Sequence, residues 1–376
     1  MLACPHRPPC PGCPRLGEPG VAPGPLSELE SLAEARGLPG VGVVRGADTG
    51  FRYRARLAVR GRARSPKLGI FEAGSHRVVD IPRCLVHHPL VNDVAFAARA
   101  AIRETATPTY SDDAHAGLLR YLQVVVERAT STAQVVAVAN DETPERSMAF
   151  LSSLAGRLGP RLHSLFWNGN VARTNSILGP SWQRISGPVA VEERVGGARV
   201  FYPPGAFGQS HLELSSALVD AVHAFVPHGA RVLELYAGVG AIGLGLSPRV
   251  KELAVNELAA DSLRGLELGV AALDADKRAR VRVLPGPAGS AITSMDAPDV
   301  VIVDPPRRGL DADVLASLVQ RPPKMLVYVA CGLESFLSDE RALALGGRLR
   351  LAELTAYDMF PHTEHVETLA RFDRVD

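Results

Sequence analysis

The sequence predicts an α/β protein in two parts, an α+β region over residues 1–200 and a parallel-sheet domain over residues 201–376. In the second part helical and apolar strand patterns alternate, which is typical of a parallel sheet connected by helices. In the first part β segments follow one another across short turns, which indicates antiparallel pairing. A chain of 376 residues is also long for a single hydrophobic core, so two domains are expected.

The composition is that of a globular protein, with 46% hydrophobic and 22% charged residues. The sequence shows no apolar signal-peptide core and no run of about twenty apolar residues, so we expect a cytoplasmic monomer without membrane contact. The net charge of +1 divides into +7 over residues 1–200 and −6 over the remainder. This asymmetry favours a polyanionic partner bound by the first part.

Three cysteines, Cys4, Cys10 and Cys13, stand in a segment of 26 residues that contains eight prolines. Such a segment cannot bury a core of its own and needs another constraint. Clustered cysteines in a reducing cytoplasm favour a metal centre over disulfides. Cys84 could supply a fourth thiolate, and four thiolates suit either zinc or an iron–sulfur cluster.

A basic strand follows a short helix predicted over Leu26–Arg36. Side chains alternate between the two faces of a strand, so arginines at even positions project together while Phe51, Tyr53, Leu57 and Val59 face inward. A row of arginines without interrupting acids is suited to phosphate contacts. The predicted RNA-contacting arginines are Arg52, Arg54, Arg56, Arg60, Arg62 and Arg64.

The remaining elements follow from hydrophobic periodicity. In the first part these are a helix at Pro89–Glu104, strands at Leu118–Arg128 and Ala133–Ala139, a helix at Ser147–Leu158 and a strand at Leu162–Trp167. The domain boundary is expected near Phe201–Gly205. In the second part a helix at His211–Phe225 precedes strands at Arg231–Tyr236, Leu253–Asn256, Val281–Leu284, Asp299–Val303, Met325–Ala330, Leu349–Thr355 and Val366–Phe372. These strands predict a seven-stranded sheet.

The ends of the predicted strands carry the chemistry. Gly238-x-Gly240-x-x-Gly243 follows the first strand, and Glu257 lies nineteen residues after Gly238. This is the pattern of a nucleotide-binding turn, in which the acid holds ribose hydroxyls. It fits either a dinucleotide or S-adenosylmethionine. Asp304-Pro-Pro-Arg307 favours S-adenosylmethionine, because base methyltransferases place such a loop beside the target base.

Cys331 ends the fifth strand, and Glu367 lies in a dense polar stretch some forty residues further on. We interpret the two as a thiol nucleophile and a carboxylate base acting on one substrate. Glu364 is the nearest rival for the role of base. An ordinary buried cysteine is the alternative for Cys331.

These motifs resemble the RNA uracil-C5 methyltransferase family. The cysteine set resembles the [4Fe–4S] ligands found chiefly in ribosomal-RNA members, and the chain is similar to the short members that lack an N-terminal RNA-binding barrel. The similarity covers almost the whole sequence. The matching motifs are Phe207-Gly-Gln-Ser210, Leu235-Tyr-Ala-Gly-Val-Gly240, Val303-Asp-Pro-Pro-Arg307, Tyr328-Val-Ala-Cys331 and Asp358-Met-Phe-Pro-His-Thr-Glu-His-Val-Glu367.

The resemblance implies a class I, seven-stranded Rossmann-like methyltransferase domain preceded by an α+β RNA-binding domain with a four-cysteine [4Fe–4S] cluster. It implies methylation of uridine C5 in RNA, with 23S rRNA favoured. Cys331 would add to C6 of the uracil, and Glu367 would remove the C5 proton. The implied S-adenosylmethionine contacts are Gln209, Tyr236, Gly238, Gly240, Glu257 and Asp304.

The sequence departs from the family pattern beside several of these residues. Ala330 and Gly332-Leu333 replace the usual Ser before and Asn-Pro after the cysteine, Ala241 replaces a polar residue, and Gln209-Ser210-His211 replaces Gln-Val-Asn. Three alternatives stay open at this point. They are a tRNA uridine-C5 methyltransferase, a noncatalytic RNA-binding homologue and, on the glycine loop alone, a nicotinamide-dependent oxidoreductase.

Overall fold

The computed structural model describes residues 2–18 and 20–375, and the chain divides into two compact units. The first unit comprises the chain up to Gly17, Ala47–Glu193 and Pro203–Gly205, and the second comprises the rest. The segment 18–46, which the predicted boundary assigns to the first domain, therefore belongs to the second unit. No helix within the described residues has both the length and the apolarity needed to cross a membrane.

The helices, in chain order, are α1 (Pro23–Ala35), α2 (Pro89–Thr105), α3 (Met148–Leu158), α4 (Leu212–Phe225), α5 (Ala260–Ala271), α6 (Ala275–Arg278), α7 (Ala288–Ala291), α8 (Ala312–Gln320) and α9 (Leu333–Leu345). The strands are β1 (Gly42–Val44), β2 (Arg54–Arg62), β3 (Ser65–Phe71), β4 (Val78–Asp80), β5 (Leu119–Glu127), β6 (Thr132–Ala139), β7 (Leu162–Gly169), β8 (Ser181–Ser186), β9 (Val191–Val195), β10 (Ala198–Tyr202), β11 (Arg231–Leu235), β12 (Glu252–Glu257), β13 (Val281–Pro285), β14 (Val300–Val303), β15 (Met325–Ala330), β16 (Leu349–Tyr357) and β17 (Glu367–Arg374). Helix α1 begins earlier than predicted because Pro23 lies in its first turn, where proline is tolerated.

The first unit is built on a seven-stranded sheet with the order β4-β3-β2-β5-β6-β7-β8. Its neighbouring strands are antiparallel apart from β6 and β7, which are parallel. Strands β5 and β6 are almost entirely buried because they consist largely of valine and alanine. Helices α2 and α3 bury their apolar stripes in the same core, through Val91, Val94, Ala98, Ile102, Phe150, Leu151 and Leu154.

The second unit contains a sheet with the order β1-β16-β17-β15-β14-β11-β12-β13. The seven strands predicted from the C-terminal half are all present. Strand β1 adds an eighth and pairs in parallel with β16, with Val43 opposite Ala356. Strand β17 runs antiparallel to both of its neighbours.

This topology brings the predicted site residues to one edge of the sheet. The carboxyl ends of β11, β12, β14 and β15 lie at that edge because these strands are parallel. Strand β17 begins at the same edge, with Thr368 opposite Ala330. Glu367, the first residue of β17, and Cys331, which follows β15, are therefore neighbours. Ligands in open parallel sheets bind at this edge.

Candidate functional site

The glycine loop after β11 has the backbone conformation that its glycines suggest. Gly238 and Gly240 have φ angles of +60° and +79°, which side chains with a Cβ rarely adopt. Tyr236 shares this left-handed region with a φ of +59°, an unusual state for a bulky residue. Its hydroxyl donates to Asp311 Oδ2 and accepts from the Asp311 backbone N–H, both at 3.1 Å. The predicted cofactor residue Tyr236 therefore also ties the glycine loop to the start of α8.

Glu257, the predicted ribose acid, holds the same loop from the end of β12. Its Oε2 accepts from the backbone N–H of Gly238 at 2.7 Å. Its Oε1 accepts from Leu258 and Ala259 at 2.8 and 2.6 Å. The carboxylate is thus oriented at the edge of the loop, and the second lone pair of Oε2 can accept a ligand hydroxyl.

Glu234 was missed by the motif reasoning, although an acid inside the apolar strand Val232–Leu235 is a detectable signal. Its side chain is 1% exposed and packs directly against Gly243, at a place that leaves no room for a Cβ. Burial raises the pKa of Glu234 to about 8, and the charges of Asp304 and Glu257 act in the same direction. The third glycine of the loop is therefore required by close packing against this carboxyl group.

Asp304, Cys331 and Glu367 lie close enough to influence one another's ionisation. Burial raises the pKa of Cys331 to about 11, and the charges of Glu367 and Asp304 add to the rise. Burial also raises the pKa of Glu367, again with a contribution from Asp304. The pKa of Asp304 is raised by burial and by Glu257. The predicted nucleophile and base therefore share one electrostatic environment.

Glu367 is a carboxyl group enclosed by protein. Its side chain is 0% exposed. Within the part of the chain that the structure describes, neither carboxylate oxygen has a hydrogen-bond partner. An orphaned buried acid is destabilising in a resting protein, so its presence points to a ligand or to proton transfer.

Arg307 supplies the opposing charge at this edge. Its charge partly offsets the rise in the pKa of both Cys331 and Glu367. Motif reasoning did not assign this role to Arg307. An acidic cluster lies near the ends of β11, β12 and β14, where the charge of Glu257 raises the pKa of both Glu234 and Asp304. S-adenosylmethionine carries a sulfonium and an ammonium group, so the donor set fits this cofactor electrostatically.

Gln209 lies in the loop before α4. The N-cap of α4 is His211, whose side chain accepts from the Leu214 backbone N–H at 3.4 Å. Gln209 is partly exposed and is not the helix cap. Its amide therefore remains a candidate ligand contact.

The predicted metal ligands Cys4, Cys10, Cys13 and Cys84 line one cavity of about 120 Å³ in the first unit. Burial raises the pKa of Cys13 to about 11, and the charges of the other three cysteines add to it. No group of three or more His, Cys, Asp or Glu side chains among the described residues is placed to hold a single metal ion. The shared cavity therefore brings the four cysteines to one region, and the predicted metal centre itself stays a prediction.

The arginine row on β2 differs from the predicted continuous, solvent-facing series. Arg56, Arg62 and Arg64 are exposed and Arg54 is partly buried. Arg52 lines the cysteine cavity, where burial lowers its pKa and the thiolates of Cys84 and Cys13 oppose that fall.

Arg60 is only 7% exposed, which corrects the expectation that it faces solvent. Its guanidinium pairs with Asp112 at 2.6 Å and lies 5.0 Å from the ring centroid of Tyr110. Phe71 and Tyr121 also flank it. The ion pair and cation–π contacts stabilise the buried charge, and they come from segments that the strand pattern alone does not reveal.

Comparison with known proteins agrees with the fold. The family model described as tRNA (Uracil-5-)-methyltransferase matches residues 288–374. An uncharacterized RNA methyltransferase of Protochlamydia amoebophila is 33% identical over 99% of this chain and 98% of its own length. Another, from Geobacter sulfurreducens, is 32% identical over 85% of this chain, which spans 65% of that protein.

A solved structure is similar over nearly the whole chain. It is the tRNA (uracil-54, C5)-methyltransferase of Pyrococcus abyssi in complex with S-adenosyl-L-homocysteine. The identity is 25%, the TM-score is 0.76, and the match covers 93% of this chain and 83% of the other.

The fold and the strand-end site define a Rossmann-like, S-adenosylmethionine-dependent methyltransferase that acts on RNA. More narrowly, the chain belongs to the RNA uracil-5-methyltransferase family. The sequence resemblance to this family is therefore confirmed, as is the prediction that the protein is an enzyme.

Proposed function

We propose that this protein methylates C5 of a specific uridine in RNA through a covalent intermediate on Cys331, with Glu367 as the base. The observation that carries this proposal is the enclosed carboxyl group of Glu367, which has no hydrogen-bond partner among the described residues and lies beside the Cys331 thiol. A nucleophile and a separate base are what this chemistry requires.

The Cys331 thiolate is needed because C5 of uracil by itself is too weak a nucleophile to accept a methyl group. The Cys331 thiolate forms a bond to C6, and the ring electrons move onto the O4 enolate and C5. S-adenosylmethionine supplies an electrophilic methyl group for C5. Arg307 assists the attack on C6, because its charge favours the thiolate and partly offsets the burial that raises the pKa of Cys331.

The base completes the cycle. Glu367 takes the C5 proton, the C5–C6 double bond re-forms and the bond between Cys331 and C6 breaks, which releases the thiolate. The raised pKa of Glu367 makes its carboxylate a stronger base than an exposed one. The uracil must leave its base stack, or come from a loop, because both faces of the ring are used.

The cofactor contacts remain assignments by motif and position. We assign Gly238 and Gly240 to close backbone approach, Glu257 to the ribose hydroxyls, and Gln209 and Tyr236 to the rest of the cofactor. We assign Asp304 to both the cofactor and the uracil, because it interacts electrostatically with Glu257 and with Cys331.

Replacement of Glu367 by glutamine tests the role of base. The Glu367→Gln enzyme should form the bond to C6 and accept the methyl group, and then accumulate the methylated covalent adduct because the C5 proton cannot leave. Denaturing gel electrophoresis with labelled RNA detects the adduct. Glu364→Gln changes an exposed neighbouring acid and should turn over normally. Normal turnover by Glu367→Gln would remove Glu367 from the mechanism.

For the RNA substrate we favour 23S rRNA, by the similarity of the four-cysteine set to ribosomal-RNA members. A tRNA substrate is the second candidate, since the solved relative from Pyrococcus abyssi is named a tRNA (uracil-54, C5)-methyltransferase. Mapping 5-methyluridine in host ribosomal and transfer RNA, with and without this gene, separates the two. Loss of 5-methyluridine from neither RNA would contradict both.

We further propose that Cys4, Cys10, Cys13 and Cys84 bind a [4Fe–4S] cluster that fixes the N-terminal segment. The shared cavity supports this assignment, and the segment has too many prolines to build its own core. Anaerobically purified protein should contain iron and inorganic sulfide in equal amounts. Bound zinc without iron would overturn the assignment.

Residues 1–200 would then form the RNA-binding region. The exposed Arg62 and Arg64 are the best placed members of the predicted series to contact phosphates. Arg56 also lines the cysteine cavity, and its Nε donates to Gln123 Oε1 at 2.8 Å. We assign Arg52 instead to the cysteine cavity and Arg60 to the stability of the first unit.

A further inference from the structure

The loop Asp304–Leu310 carries both Asp304 and Arg307, and helix α9 contacts it at two points. The hydroxyl of Ser335, in the first turn of α9, lies 2.9 Å from the carbonyl oxygen of Arg307 and 2.9 Å from that of Gly332. One hydroxyl proton is shared between these two acceptors. Ser335 therefore joins the backbone of Arg307 to the residue directly after Cys331.

The second point of contact is Asp339, one turn further along α9. Its Oδ2 accepts from the backbone N–H of Leu310 at 2.9 Å and from the hydroxyl of Tyr328 at 2.7 Å. Asp339 is 7% exposed and Tyr328 is 1% exposed. One carboxylate oxygen thus connects the loop, the helix and the strand that leads to Cys331.

Steric fit reinforces these hydrogen bonds. A Cβ on Gly332 would lie 2.5 Å from the carbonyl oxygen of Arg307. A Cβ on Gly309, whose φ is +85°, would lie 2.6 Å from Asp339 Oδ2. The helix is anchored in turn by Phe336, whose ring meets Tyr328 edge to face at 5.4 Å. The loop is therefore pressed against α9 without space for adjustment.

We propose that Ser335 and Asp339 are positioning residues, which hold the loop so that Arg307 stays beside the Cys331 thiol. The catalytic purpose of this role rests on the uridine methylation proposed above. Arg307 is exposed, so its own side chain has freedom to move and its backbone must be fixed. A displacement of about 1 Å at a reacting centre can cost on the order of a hundredfold in rate.

The reactivity of Cys331 towards iodoacetamide as a function of pH tests this role without RNA. The charged groups that face the thiol are Glu367 from β17, and Asp304 and Arg307 from the loop. Asp339→Ala and Ser335→Ala should release Arg307 and raise the apparent pKa of Cys331. Alkylation below that pKa should then slow, on the order of tenfold for each unit of pKa. Peptide mass spectrometry isolates Cys331 from the other cysteines.

The direction of the change separates positioning from simple loosening. Loosening of the site would expose the thiol, lower its burial-raised pKa and speed alkylation. Asp339→Asn keeps an oxygen acceptor and should recover most of the wild-type profile. Tyr328→Phe removes one of the two hydrogen-bond donors to Asp339. If Asp339→Ala does not fold, Tyr328→Phe and Ser335→Ala take its place in the test.

Two matched controls lie on the same helix. Ser338→Ala removes an exposed hydroxyl. Glu340→Ala removes a buried acid that pairs with Arg36 at 2.6 Å, so it should lower the melting temperature. Neither should change the Cys331 profile. Unchanged or faster alkylation in Asp339→Ala or Ser335→Ala, or slowing also in Glu340→Ala, would overturn the positioning role.

The same variants should slow covalent adduct formation with 5-fluorouracil-substituted RNA. If Cys331 reactivity shifts as expected but no native RNA gains 5-methyluridine, the proposed function fails and the loop contacts keep their role. If methylation occurs and the reactivity does not shift, the positioning role fails alone.

Discussion

At the scale of single residues, the site combines a thiol with acids whose charged forms are destabilised by burial. Burial raises the pKa of Cys331 to about 11 and that of Glu234 to about 8. Arg307 is the cation that opposes these effects at Cys331 and Glu367. The proposed chemistry therefore depends on the exposed Arg307 beside enclosed acids.

Glu234, the buried acid of β11, makes the free energy of unfolding depend on pH. The folded pKa of Glu234 lies above its unfolded value, so between about pH 4.5 and about pH 8 the folded state holds a proton that the unfolded chain releases. The free energy of unfolding falls as the pH rises through this interval. Glu234→Gln should remove that loss. Near pH 8 its free energy of unfolding should exceed that of wild type by on the order of a few kcal/mol.

Urea unfolding at about pH 5 and about pH 8 measures this difference. The advantage of Glu234→Gln over wild type should be larger at the higher pH. Glu252→Gln is a control, because Glu252 begins β12 and is only partly buried. An advantage that does not grow with pH would show that the carboxyl group ionises normally in the folded state.

Residue roles were predictable from sequence only where a motif marks them. Cys331 and Glu367 stand in recognisable stretches, and the topology brings them together as expected. Arg60 was misjudged because its partner Asp112 is 52 residues away in sequence. Glu234 carries a detectable signal as an acid inside an apolar strand, but it belongs to no motif. Arg307 acts on Cys331 and Glu367 through its charge, which motif spacing does not report.

At the scale of elements, seven strands of the second sheet were predictable from their apolar residues. These residues run together in β14 and β15 and are interspersed with polar residues in β16 and β17. Strand β1 was not assigned to this sheet, because its three residues pair with β16, more than three hundred residues away. Local pattern contains no information about such a distant partner.

Gly332 shows how a departure from the family pattern is accommodated. Asparagine usually follows the catalytic cysteine, but a Cβ here would collide with the carbonyl oxygen of Arg307 and approach Ser335 Oγ at 2.8 Å. Gly332→Ala should therefore push the loop away from Cys331 and slow methylation on the order of tenfold or more.

Single-turnover methylation of RNA measures this effect. Gly156→Ala is the matched control, because Gly156 lies in helix α3 and a Cβ there meets nothing within 4 Å. It should leave the rate unchanged and be neutral or slightly stabilising. A wild-type rate for Gly332→Ala would show that the loop tolerates displacement.

At the scale of the whole molecule, charge is divided along the chain, with +7 over residues 1–200. Exposed arginines of β2 and its turn should supply part of the affinity for RNA. Double replacement of Arg62 and Arg64 by alanine should weaken binding for all sequences alike. It should also reduce the slope of log affinity against log salt by about 1.4, roughly 0.7 for each phosphate contact to single-stranded RNA.

Filter binding at several salt concentrations gives this slope. Arg157→Ala changes an exposed arginine of α3 that pairs with Glu104 at 2.7 Å, and it should leave the slope unchanged. An unchanged slope in the double variant would place the phosphate contacts elsewhere in the protein.

The central claim is that Cys331 forms a covalent bond to a uracil in RNA. The direct measurement is incubation with S-adenosylmethionine and 5-fluorouracil-substituted host RNA, followed by peptide mapping of the adduct. Fluorine at C5 cannot leave as a proton, so the methylated adduct should remain attached to Cys331. The Cys331→Ala protein should form none while still binding S-adenosylmethionine. Absence of an adduct with any host RNA, or an undiminished adduct in Cys331→Ala, would contradict the claim.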